Sequence, residues 1–175
     1  MLAAAAYMVV FRIIHVLAAI AWGGSVFLFV MFVQPSVAAI APAGAPFMAE
    51  LLGKRKLVRV LIGLGTATVV GGAFLYWHDA QIYGGFSDWI GTSFGVTLTI
   101  GAVAAIAALA IGIFGTRPNV NLLLDLGRRA AEQGGPTPEL AAQIAGTQAR
   151  LKTYARASFA LIVVAALTMA IGRYV

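Results

Sequence analysis

The sequence has no cysteine, and among its 175 residues only six are acidic and two are histidine. The missing cysteines exclude disulfides, thiolate metal sites, iron–sulfur clusters and cysteine nucleophiles together. Charge is scarce too. Some 10% of residues are charged and 61% hydrophobic, where a soluble domain has about 25% charged and about 45–50% apolar. Mean hydropathy is +0.93, so the chain is expected inside a membrane. No serine stands in a nucleophile elbow, no carboxylates pair within the apolar runs, and the glycines of GLGTATVVGG lack the lysine of a phosphate loop.

What the chain does have is long apolar runs. A membrane-crossing helix needs roughly 20 apolar residues. Four segments qualify, at about 7–34, 55–78, 92–116 and 152–174, with a connection over 117–151. The fold class predicted is all-α, an integral membrane four-helix bundle forming one domain over 1–175. Within the third connection, NVNLLLDLGRRAAEQ reads as an interfacial helix on the cytoplasmic surface. Thr137-Pro138-Glu139 then reads as a helix start that extends the fourth span. The first helix reads as a span and not a cleaved signal, because Arg12 falls late and the apolar stretch is long.

Orientation follows from the cations. Lys54, Arg55, Lys56 and Arg59 cluster at the first connection, and Arg117, Arg128, Arg129, Arg150, Lys152 and Arg156 at the third. The second connection, 78–92, carries Asp79 and Asp88 and no basic residue. The positive-inside rule puts both basic connections in the cytoplasm. The expectation is a multi-pass protein of a bacterial cytoplasmic (inner) membrane with both termini periplasmic. The net charge of +6 then reports topology and attraction to anionic headgroups, and no nucleic-acid partner is expected.

Small residues are set for close helix approach: Ala18, Ala19, Gly23 and Gly24 in the first span, Gly63, Ala67 and Gly71 in the second, and Gly101, Ala105, Ala108 and Gly112 in the third. The same faces suit a homo-oligomer or a larger membrane complex. Trp77, Trp89, Tyr76, Tyr83 and Tyr174 read as an outer aromatic belt.

This topology gathers the chemistry at one end. Arg12 and His15 lie where the first helix enters, with Trp22 two turns beyond His15. His78 ends the second helix beside Asp79, while Met169, Arg173 and Tyr174 end the fourth. Two imidazoles can ligate heme iron, copper or zinc. The candidate cofactor-binding residues are therefore His15, His78, Arg12, Trp22 and Arg173, the arginines serving propionates. The candidate metal ligands are His15, His78 and Met169, thioether being a copper donor. The plainer readings are a helix-to-helix hydrogen bond for His15, a snorkelling Arg12 and a solvated His78.

The first helix, His15-x-x-Ala18-Ala19-x-x-Trp22-x-Gly24-x-x-Phe27 closed by Pro35, resembles the opening helix of the copper resistance D (CopD)-like family of small bacterial membrane proteins. The segments LVRVLIGLGT and ARLKTYARASFALIVVAALTMAIGRY resemble that family too. Arg12 three residues before His15 is similar to the Lys/Arg-x-x-His opening of the four-helix protoporphyrinogen oxidase family (HemJ), from which the long third connection departs. The second resemblance implies heme b with His15 as ligand; the first implies copper passage or tolerance. The expected function is binding of a metallocofactor, heme b before copper, near the outer face for electron transfer or cofactor handling. The alternatives are a non-catalytic accessory or assembly subunit, and copper transport or tolerance. No catalytic residue is assigned.

Overall fold

The computed structural model describes residues 2–175, with side chains from Ala6 onward. Its helices, in chain order, are α1 (Leu2–Leu28), α2 (Gln34–Ala39), α3 (Ala45–Ala49), α4 (Leu57–Ile82), α5 (Phe86–Ile90), α6 (Ser93–Ala110), α7 (Arg117–Glu132) and α8 (Pro138–Ile171). Wider π-helical turns follow α1 (Phe29–Val33), α3 (Glu50–Lys54) and α6 (Ile111–Thr116). Four continuous stretches are long and apolar enough to cross a membrane: Ala6–Ala39, Leu57–Ile82, Ser93–Glu132 and Pro138–Tyr174.

Local chemistry sets the helix ends. Gly84 and Gly134 take left-handed φ values of 91° and 73° just past α4 and α7. The amides of Gly85 and Gly135 then reach back to Ala80 and Ala130 carbonyls, 2.9 Å in both cases. This is the Schellman arrangement, which favours glycine at the turning residue. Thr92 and Thr137 open α6 and α8, their hydroxyls accepting from the amides of Gly95 and Leu140 at 2.9 and 3.3 Å. Pro35 and Pro118 lack an amide hydrogen, and each is the second residue after a π turn. The wider turn lets the helix continue past a residue that cannot complete the i→i−4 ladder.

The closest pairings are α1 with α4 and α6 with α8, while α4 meets α6 and α1 meets α8 more sparingly. Lipid offers no hydrophobic drive between helices, so each seam rests on close packing. In α6, Gly101, Ala104, Ala105 and Ala108 are buried, and Ala104 and Ala105 pack with Ala165 of α8. The buried face of α4 is Gly65, Thr68 and Gly71. Gly63 lies exposed, and a methyl added there would meet nothing within 4 Å. Of the expected Gly63-Ala67-Gly71 stripe only Gly71 is buried and Ala67 is half-buried, because the buried row Gly65, Thr68, Gly71 climbs α4 in three-residue steps.

Two further expectations change. The expected interfacial helix is α7, and it continues α6 through the π turn to pack along α8. Its Val120 and Leu126 are buried, while Leu122 of the same stretch stays exposed, so part of its apolar surface is taken up inside the protein. Trp89, expected in an aromatic belt, has no exposed surface. It is enclosed by Tyr76, Tyr83 and Phe94 at centroid distances of 5.7, 4.9 and 5.1 Å. The short helix α5 folds the tryptophan inward, whereas Trp77 and Tyr174 remain 63% and 88% exposed.

Candidate functional site

The seam between α1 and α4 is built in layers. Tyr7 lies beside His78, with ring centroids 6.3 Å apart. Phe11 packs on Phe74, the rings tilted by 40° with centroids 4.4 Å apart. His15 rests on Gly71 and Gly72, and Trp22 on Gly65. These α1 positions lie four, four and seven residues apart, so they share one helix face.

His15 is held firmly. Its Nδ1 lies 2.8 Å from the carbonyl oxygen of Thr68. A carbonyl only accepts, so Nδ1 carries the proton and Nε2 keeps its lone pair in the neutral ring. Thr68 is 5% exposed and returns its own hydroxyl to the Leu64 carbonyl at 2.9 Å. Gly71 lets the backbones approach: a Cβ there would stand 3.3 Å from the His15 backbone nitrogen. Gly72 seats the ring, since a Cβ there would fall 2.9 Å from Cε1 and 3.0 Å from Nδ1.

The two histidines share this seam but do not meet. His78 follows Gly71 by seven residues on α4, about 10 Å of helix rise. The Phe11–Phe74 pair lies between them, joined by Tyr7, whose hydroxyl donates to the Phe74 carbonyl at 3.4 Å. The His78 Nδ1 is buried without a hydrogen-bond partner and lies 3.8 Å from an Asp79 carboxylate oxygen.

The other candidates fall in different places. Arg12 is exposed, one turn before His15, with no ion pair among the described residues. Trp22 is 6% exposed and forms a core cluster with Val26 and Ala108. The methyl of Met169 approaches Gly101 in the α6–α8 seam, so it belongs to a different helix pair from either histidine. Arg173 is exposed in the short 3-10 turn Gly172–Tyr174, whose Gly172 packs on Phe94. Among the described residues no group of three or more His, Asp or Glu gathers that could hold a metal ion. The chemistry offered is therefore one imidazole with a defined tautomer, set between two long apolar helices.

Sequence reasoning missed Thr68, Gly72 and the Tyr7/Phe11/Phe74 layer. The four-residue spacing of Tyr7, Phe11 and His15, matched by Phe74 and His78 on the other helix, was the available signal. Fold and site together define a multi-pass membrane protein with a histidine locked inside its first helix pair. Compared with protein-family models, with curated proteins and with solved structures, the chain matches none.

Proposed function

We propose that this protein holds a metallocofactor, heme b, on the single imidazole of His15, for electron transfer or cofactor handling. Its setting is a bacterial cytoplasmic membrane with both termini on the periplasmic side, the orientation that the basic connections favour. One observation carries the reading: His15 donates Nδ1–H to a backbone carbonyl and keeps Nε2 as a lone-pair donor. Metal-ligating histidines nearly always donate their other ring nitrogen in this way, which fixes the ring and raises its basicity.

His15 would be the one group of this chain to hold the iron, through the ring nitrogen that the Thr68 carbonyl leaves free. This reading keeps to one histidine because His78 lies seven residues beyond the Gly71 on which His15 rests, with the Phe11–Phe74 contact at the helix turn between. Heme, when bound, supplies one-electron chemistry. The chain would supply the rest: His15 would hold the iron, while the Thr68 carbonyl orients its imidazole and Gly72 leaves space for that ring. Arg12, exposed one turn away, offers a guanidinium to a carboxylate such as a propionate.

Absorbance of the purified protein tests this. The expected result is a Soret band with a reduced α band, lost in His15→Ala and kept in His78→Ala. A colourless, metal-free protein would leave His15 as a clasp between helices and favour the accessory-subunit reading.

A further inference from the structure

A second feature lies at the opposite end of the bundle, away from His15. A cavity of about 280 Å³ opens between the two helix pairs. Its deep end is apolar, walled by Trp22, Ala108 and Leu109. Toward the basic end its wall gains the polar side chains of Gln34, Thr116, Gln148 and Lys152, with the buried Ser158 further in. All three π-helical turns contribute to the wall, through Phe29 and Val30, through Leu52, and through Gly112 and Thr116. Wider turns of this kind recur at functional sites. Here each one interrupts regular packing around the same space.

We propose that this cavity binds a single-chain anionic amphiphile of the long-chain fatty-acid class, chain inward and carboxylate at Lys152. Size supports one chain: the volume sits at the lower edge of the roughly 300–1,000 Å³ of small-molecule sites and is too small for a two-chain phospholipid. Charge supports a monoanion. Lys152 is the one cation on the wall, it is exposed at the mouth, and it has no carboxylate partner among the described residues. Two amides and a threonine hydroxyl beside it supply neutral donors for the carboxylate oxygens. The cations of the neighbouring connections draw such an anion to this end.

Tryptophan quenching tests the proposal, because Trp22 stands at the deep end. The protein, carrying Trp77→Phe to remove an exposed emitter, is placed in neutral phosphatidylcholine nanodiscs and titrated with hexadecanoate brominated near its methyl end. The expected result is saturable quenching, at least tenfold weaker with the methyl ester of the same chain and with Lys152→Gln. Gly112→Leu should abolish it. A Cβ at Gly112 meets only Ile62, at 3.8 Å, so the larger side chain grows into the cavity. Equal quenching by acid and ester, or quenching that rises without saturation as the chain enters bulk lipid, would overturn the proposal. So would full quenching in a folded Gly112→Leu protein. Lys152 is exposed, so its variant remains a test even where Gly112→Leu fails to fold.

Discussion

At the scale of residues, His15 and Gly72 act as one unit. A Cβ on Gly72 would stand 2.9 Å from the imidazole, inside any real contact, so Gly72→Ala should push the ring off the Thr68 carbonyl. The loss expected is on the order of 1 kcal/mol, the scale of interhelical hydrogen bonds in membranes. Thermal unfolding of His15→Ala, Gly72→Ala and the double variant should show that the two costs do not add; simple additivity would refute the cradle. A second residue-scale prediction concerns the basic end. Hydrogen bonding to Lys54, with the charges of Lys54 and Arg55 beside it, holds the Glu50 carboxyl below its ordinary range. A depressed folded pKa means that this ion pair contributes fully above the unfolded carboxylate value and fades as pH falls through the folded one. NMR of the Lys54 and Arg55 side chains should therefore show the turn loosening only in acid, and Glu50→Gln should remove that pH dependence. How much of the site was legible in the sequence follows from the same residues. His15 stands out as an ionisable group in an apolar run, whereas its acceptor is a backbone carbonyl, which leaves no trace in residue type.

At the scale of elements, the spans were legible because length, hydropathy and the placement of lysine and arginine are properties of composition. The faces were not. Gly63 and Gly65 are equally small, and only the crossing of α4 over α1 decides that Gly65 meets Trp22 while Gly63 stays open. The π turns were hidden for a similar reason: Pro35 and Pro118 announce a break in the ladder, but packing chose a wider turn over a helix end. The third connection shows how this shapes stability. Val120 and Leu126 are buried and α7 packs along α8, so the hairpin of α7 and the first half of α8 buries side chains apart from the α6–α8 seam. Thr137 caps the start of α8. Thr137→Ala should cost about 1 kcal/mol, and the loss should stay local. Amide exchange should quicken over the first turns of α8 while the segment packed against α6 stays protected, since Ala165 and its neighbours hold that part independently. Uniform loosening of the whole helix would contradict this division.

For the whole molecule, two helix pairs meet along a seam that is tight at neither end in the same way. Toward the termini, an aromatic layer and a histidine fill the α1–α4 interface. Toward the basic connections, the pairs part around a cavity. Which compartment each end faces decides what the two proposed sites could do: a periplasmic His15 would hold its cofactor toward the outside of the cell, and a cytoplasmic Lys152 would take its anion from the cytoplasmic leaflet. Because the protein has no cysteine, single-cysteine variants report topology without background. Gly84 is a poor position, since its φ of 91° favours glycine, whereas Ser87 is exposed in the same connection and Gln133 is exposed in the third. A membrane-impermeant maleimide should label Ser87→Cys in spheroplasts at once and Gln133→Cys only after permeabilisation. The opposite pattern would turn the molecule over. It would place ten lysines and arginines of the basic connections outside, against the bias that sets orientation, and give His15 to the cytoplasmic leaflet and the cavity mouth to the exterior.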